Sequence, residues 1–319
     1  MFPLVDQLAL TSVVDNSYDI FSPAGKFGAV TVQRTPVPYP LGSSRMLLSE
    51  HGLAYHLESA CGSERREILL DFSLCCSTLT NNYQALNVDP TKADALILSH
   101  GHDDHYGGLP EFVRSFRDRF RPATTLYAGG EDTFAHRWAV KDDGRKQDRG
   151  QLSRSALESH GVKVALAREP ALVAGHAILS GRIPRLTDFE LTPPSARVEA
   201  QSGELVKDDF QGELATAYHI KGRGLVVISS CGHAGIVNTT RHFQKITGVE
   251  HIHAVVGGWH LAPYSDEVIE KSVAALREIN PDYFIPMHCT GFRAIAAIYR
   301  DVPAKLILPA TGTRVLFGV

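Results

Sequence analysis

The chain has 319 residues, a formal net charge of -3 and a sequence pI near 6.6, with 44% hydrophobic and 21% charged residues. That length buries a sizeable core as one large α/β domain or two small ones, and the charge gives no positive field to draw nucleic acid. No apolar run approaches a membrane span, and the opening MFPLVDQLALTSVVDNSYDIF has neither a basic head nor a long apolar core, so the expectation is a soluble cytoplasmic protein without a secretion signal.

In chain order, LALTSVVD (8–15) reads as a first strand, and Pro36, Pro38 and Pro40 mark a loop. Met46 to Glu58 and Glu67 to Asp71 read as two strands joined by a polar turn near Cys61 to Glu64. Asp71, at the end of an apolar strand, either supports a metal ligand from behind or caps a helix over Leu74 to Leu86; both readings stand. His51 reads as a packed strand histidine or as a residue lining a groove.

The most informative stretch follows. Ala95-Leu96-Ile97-Leu98 is an apolar strand, ended by Ser99 and then by His100, His102, Asp104 and His105 before Gly107 and Gly108. Two histidines one residue apart at a strand end point the same way, because side chains alternate with period two. Asp104 and His105 lie where the chain turns into a helix (Leu109 to Phe120), which aims them at a second position beside the first. Imidazole and carboxylate suit zinc, with manganese or iron as alternatives, in one or two metal positions.

The segment at about 131–160 is polar and weakly patterned, and is expected to be a helical excursion or lid on a single domain spanning 1–319. GRIPRLTDFE (Gly181 to Glu190) carries Arg182 and Arg185 on either side of Ile183-Pro184, either a fork for phosphate or a pair bridged to Asp188 or Glu190. An irregular stretch through Lys207 comes next. From Ala215 the alternation resumes: strands ATAYHI and GLVVISS, then His233, then a helix near Ile236 to Ile246. HIHAVVGGWHL is a strand ending at Trp259 and His260. After a helix from Asp266 to Ile279, DYFIPMHCTG is a strand ending in His288. A helix near Arg293 to Tyr299 and two short strands, LILP and TRVLFG, close the chain. One pattern thus recurs: an apolar strand, a metal-competent residue at its carboxyl end, a small-residue turn and a helix. Open α/β sheets place their sites at those strand ends.

Trp259 either walls the pocket or fills core. Asn238 and Thr239 are placed to cap or support the helix after CGHAG. His251 and His253 precede the carboxyl end of their strand and are left out of the site. Five cysteines, an odd number without a C-x-x-C pair, argue against a disulfide framework; Cys231 and Cys289 stand next to candidate ligands.

H-x-H-x-D-H at His100 to His105, with Asp71 upstream and His233 and His288 downstream, resembles the metallo-β-lactamase superfamily. EHG at Glu50, DFSLCCS, SHGHDDHYGGL, GRIPRLTDFE, CGHAGIVNTT, GGWHL and HCTGF are similar to its subgroup around 7,8-dihydropterin-6-methyl-4-(β-D-ribofuranosyl)aminobenzene-5'-phosphate synthase. The resemblance implies an αββα sandwich, two mixed sheets with helices on both outer faces, and a binuclear site at one edge. It places one metal on His100, His102 and His233 and another on Asp104, His105 and His288. Many members have a metal-bridging aspartate between the last two histidines, where this chain has Gly-Gly-Trp-His.

The expected activity is metal-dependent hydrolysis of an ester-like bond, foremost a phosphoester of a small anionic metabolite. Asp104 would orient the attacking water, His260 would act as acid or ligand, and Arg182, Arg185 and Trp259 would contact substrate. The alternatives are a transferase acting on a pterin or ribofuranosylaminobenzene phosphate, as the subgroup implies, and a metal-binding regulator without turnover. A homodimer is compatible with the resemblance.

Overall fold

The computed structural model describes residues 2–35, 45–121 and 124–318. The expected loop at Pro36, Pro38 and Pro40 lies outside them. Two sheets face each other. The first has nine strands in the order Lys163–Leu166, Thr125–Ala128, Ala95–Ile97, Glu64–Leu70, Ala54–Cys61, Gln7–Val14, Thr313–Phe317, Val30–Arg34 and Gly25–Phe27. The second runs Ala171–Val173, Ala177–Leu179, Thr216–Ile220, Gly224–Ser229, Ile252–Gly257 and Tyr283–Pro286, with Leu4–Val5 pairing in parallel to Thr216–Ile220.

Both sheets are mixed, because the strands bearing the histidine motifs run parallel to one another while the hairpin strands run antiparallel. Alternation along these strands explains the layering. In Gly224–Ser229, Val226 and Ile228 point into the space between the sheets, where they meet Tyr55, Leu57 and Ile97. Leu225 and Val227 point outward against the helices Ile236–Thr247, Asp266–Ile279 and Phe292–Asp301. Likewise Ala95 and Ile97 face inward, whereas Leu96 packs outward on Leu79 of the helix Cys76–Ala85 and Phe112 of the helix Leu109–Phe116. Strands apolar on both faces are what a four-layer core requires. The expected αββα arrangement is observed.

Four local expectations change. Residues 45–53 are not strand; the strand begins at Ala54. Glu50 instead caps the helix Cys76–Ala85: one carboxylate oxygen accepts from the Ser73 hydroxyl (2.6 Å) and the Leu74 and Cys75 amides (3.1 and 2.8 Å). Asp71 is thereby relieved of the capping role. LILP makes only a bridge between Leu306 and Phe284.

The polar segment at 131–160 is helical only at its ends, in the 3-10 turn Glu131–Phe134 and the helix Arg154–Ser159, and holds a hairpin between them. Arg137–Val140 and Lys146–Asp148 form a hairpin joined to Ala196–Glu199 and Leu205–Lys207 in a separate four-stranded sheet. The Asp143-Gly144 turn, with Gly144 at φ 80°, is the sequence signal for that hairpin. Buried Arg137 ties this small sheet to the site, donating to the Asp208 carboxylate (2.8 Å) and to the carbonyl of Gly101 (3.4 Å), between His100 and His102.

Candidate metal centre

His100, His102, His105, His233, His260 and His288 all follow the carboxyl ends of strands, and the parallel register brings those ends together. The donor atoms of His100, His102 and His233 lie within 4.8 Å of one another, and Nε2 of His100 faces Nε2 of His233 at 3.2 Å. A second group forms from His51, Asp104 and His288: His51 Nε2 and His288 Nε2 are each 3.3 Å from Asp104 Oδ2. His105 Nε2 is 3.8 Å from that same oxygen. The structure therefore brings His51 beside the expected ligands. Its side chain is 62% exposed and stacks on His288 with ring centroids 5.3 Å apart, so it lines the groove.

Hydrogen bonding behind the histidines decides which ring nitrogens face inward. Asp71 is fully buried and accepts from Ser99 N, Ser99 Oγ and His105 Nδ1, at 2.8, 2.8 and 2.7 Å. With its hydroxyl proton given to Asp71, Ser99 Oγ accepts from His100 Nδ1 at 2.9 Å. Both rings then turn Nε2 toward the centre, His100 with a lone pair and His105 with a proton that a metal would displace. Asn16 does the same for His288, accepting from Nδ1 at 3.1 Å while its amide donates to the His288 carbonyl.

The donor set fits a metal. His105 Nε2 and Asp104 Oδ1 are buried with no hydrogen-bond partner, and the His288 lone pair faces a carboxylate oxygen. Ring nitrogens and a carboxylate oxygen that converge in a buried place without partners of their own suit a cation. Burial first, then neighbouring imidazoles, pushes His100 and His233 well below the ordinary histidine range. Burial lowers His102 in the same way. These rings are neutral at pH 7, as ligation requires. Asp104 is pushed up by burial, but His105, His288 and His102 outweigh that and hold it well below the usual carboxylate range.

Residues 60–288 match the family model of the metallo-β-lactamase superfamily. The chain belongs to this superfamily. A curated relative, 7,8-dihydropterin-6-methyl-4-(β-D-ribofuranosyl)-aminobenzene-5'-phosphate synthase of Methanocaldococcus jannaschii, is 28% identical over 77% of this chain and 83% of its own. An uncharacterised protein of the same organism is 26% identical over 80% of this chain and 89% of its own. Among solved structures, a metal-dependent hydrolase of the β-lactamase superfamily superposes with a TM-score of 0.69 at 22% identity, covering 96% of this chain and 98% of that one. That likeness concerns the fold. The resemblance read from the motifs, including the subgroup, is borne out.

Within this metallo-β-lactamase fold, the remaining expected residues separate. Arg185 does not present a fork: it donates to the carbonyls of His233 (2.6 Å), Asp209 (3.1 Å) and Glu190 (3.4 Å), holding the ligand turn in place. Nor is it bridged to a carboxylate; the Glu190 carboxylate instead accepts from the Val237 and Asn238 amides at the start of the helix Ile236–Thr247. Arg182 is exposed beside the same cavity, of about 240 Å³, which Phe210 and Ala234 also line.

Trp259 is 1% exposed and packs near Phe284 in the outer core, so it does not wall the pocket. His260 turns Nδ1 toward Cys231 Sγ, at 3.3 Å. His251 and His253 share the Asp282 carboxylate at the opposite strand end, away from the site. Asn238 supports the turn as expected, accepting from the amides of Leu186 and Thr187 and donating to the Ala234 carbonyl.

Two functional residues escaped the motif reading. Phe210 stacks on His233 with centroids 4.0 Å apart and 8° between planes, covering the histidine cluster. Glu213 accepts from the His233 and Ala234 amides at 2.7 and 2.6 Å. Neither sits in a patterned stretch, and only the fold brings them near. Among the described residues no helix is long and apolar enough to cross a membrane.

Proposed function

We propose that this chain is a metal-dependent transferase that joins a dihydropterin to a phosphorylated ribofuranosylaminobenzene. The observation that supports it above others is the match to the synthase over 77% of this chain and 83% of the relative. Phosphoester hydrolysis, the leading expectation from the motifs, stands behind it, because the named relative is a synthase.

The relative's name describes a product with an aminobenzene attached at the pterin 6-methyl carbon. Such a step forms a nitrogen–carbon bond and breaks the bond from that carbon to an ester oxygen, whose electron pair departs with an anionic leaving group. A zinc ion, or manganese or iron in its place, on His100, His102 and His233, with a second on Asp104, His105 and His288, would supply Lewis acidity for that departing anion.

The protein's own groups do the rest. His51, exposed and 3.3 Å from Asp104 Oδ2, accepts the proton lost by the aromatic amine and passes it to solvent. Buried Phe210, stacked on His233, keeps that ring against the cluster. Exposed Arg182 is placed to meet the substrate phosphate.

The test is to incubate metal-loaded protein with a phosphorylated or diphosphorylated 6-hydroxymethyl-dihydropterin and the phosphorylated ribofuranosylaminobenzene, and to look for the coupled mass. A coupled product that requires both substrates and metal supports the reading. Release of phosphate at the same rate with and without the amine would replace it with hydrolysis.

A further inference from the structure

We propose that Cys231, Cys289 and His260 form a third metal position, rich in thiolate, beside the histidine cluster. Three neighbouring parallel strands create it. Ser229 pairs with Gly257, and Gly257 with Pro286, so these strands end at one level. Cys231, His260 and Cys289 follow those ends by two, three and three residues, and their side chains converge.

The distances are those of a ligand set. Cys231 Sγ lies 3.2 Å from Cys289 Sγ and 3.3 Å from His260 Nδ1, and all three donor atoms fall within 4.8 Å of one another. Donors around a tetrahedral zinc, at about 2.3 Å for sulfur and 2.0–2.1 Å for nitrogen, are separated by roughly 3.5–3.8 Å. An opening of a few tenths of an ångström admits the ion. Two sulfurs and one imidazole select a borderline or soft metal such as zinc, cobalt or ferrous iron, and leave a fourth position open.

The surroundings suit a thiolate. The His260 amide donates to Cys289 Sγ at 3.3 Å. A Cβ at residue 258 would stand 2.9 Å from Cys289 Sγ and 2.3 Å from the Ser230 carbonyl, so glycine there is what lets the sulfur approach. His260 holds φ at 45°, an uncommon value for a non-glycine residue, and in that conformation its ring meets Cys231. Cys231 is 3% exposed, whereas Cys289 and His260 are partly exposed, which gives the ion a way in. Cys289 and His260 are not among the His100/His102/His233 and Asp104/His105/His288 donors, while Cys231 Sγ also lies within 4.8 Å of the His100 and His105 donor atoms, so the position adjoins the histidine cluster. It occupies the region where the resemblance implies a bridging aspartate and this chain has none.

The test uses full-length protein, stripped of metal under reductant and titrated with cobalt(II). Wild type should show a near-ultraviolet sulfur-to-cobalt charge-transfer band and bind one more equivalent than Cys289→Ser, while visible bands from the histidine cluster persist in both. Equal stoichiometry and no near-ultraviolet band would overturn the assignment. Zinc-edge X-ray absorption on wild type gives a reading that needs no variant: a sulfur shell near 2.3 Å supports the site, and a shell of nitrogen and oxygen only refutes it. Thiol titration of the denatured protein without reductant should find all five cysteines. Three titrating, five less a bonded pair, would assign the two sulfurs to a disulfide instead. None of these readouts depends on pterin transfer.

Discussion

Asp71 Oδ2 accepts the Nδ1 proton of His105 at 2.7 Å, with both side chains wholly buried, and through Ser99 the same carboxylate also orients His100. One residue that touches no metal position thus aims the ring nitrogens of two histidines. Asp71→Asn keeps a side chain tolerant of the left-handed backbone (φ 61°) but loses the charge. Metal affinity should fall by about 10- to 100-fold, read by competition with a chromophoric chelator. Asp71→Ala should add a backbone cost of about 1–2 kcal/mol, seen as a further drop in Tm. Unchanged affinity in Asp71→Asn would mean that the fold alone positions the rings.

His105 should give up a proton when metal binds. Burial pushes its imidazole down, but Asp104 and Asp71 outweigh burial and lift it to about 9 in the metal-free protein. The unfolded value is about 6.5, so the folded state holds the extra proton between these limits. The pair's contribution to metal-free stability is accordingly complete below about pH 6.5 and lost as pH rises through 9. Zinc added at pH 7.5 should release that proton, counted with an indicator dye in weak buffer. His105→Asn should release one fewer; equal counts would assign the proton elsewhere.

The two arginines of GRIPR should behave differently. Arg185→Ala removes the donors that hold the His233 carbonyl, so metal retention should weaken by about tenfold, as for other groups that orient ligands. Arg182→Ala should leave metal content intact and raise KM for a phosphorylated substrate. Parallel assays of metal content and kinetics separate the two, and a raised KM in both variants with metal content intact would restore the fork.

Gly257 admits no side chain. It has φ 113°, and an added Cβ would lie 1.8 Å from the Ser229 carbonyl oxygen. Gly257→Ala should cost about 3 kcal/mol or more, since it combines a forbidden backbone with a clash inside paired strands. Urea unfolding checks this. A midpoint like that of wild type would show that the two strand ends part readily.

The strand-end histidines were legible because parallel strands buried on both faces leave an apolar run, and the polar residue after each run is conspicuous. Asp71 was legible as important but not as to role, since the competing duty of capping the helix is met by Glu50, over twenty residues earlier. The hairpin inside the segment at 131–160 was not legible because its strands are three and four residues long and one of them is exposed along its whole length, so their period-two pattern is faint; the Asp-Gly turn was the better signal. Trp259 belongs to the core because its strand end passes under the helices rather than over the groove.

The sequence by itself determined the strand–helix alternation of an α/β protein and the ligand types, with the spacing in H-x-H-x-D-H marking a metal-competent edge; the four-layer sandwich came with the family that these motifs resemble. Only the tertiary structure decided the company those ligands keep. Side chains 23 to over 100 residues apart meet through sheet register and loop paths, which leave no local trace. Asp71 behind His105 and Cys231 against Cys289 exist because separate strands end at one level, and His51 beside Asp104 and Phe210 over His233 because loops carry them there.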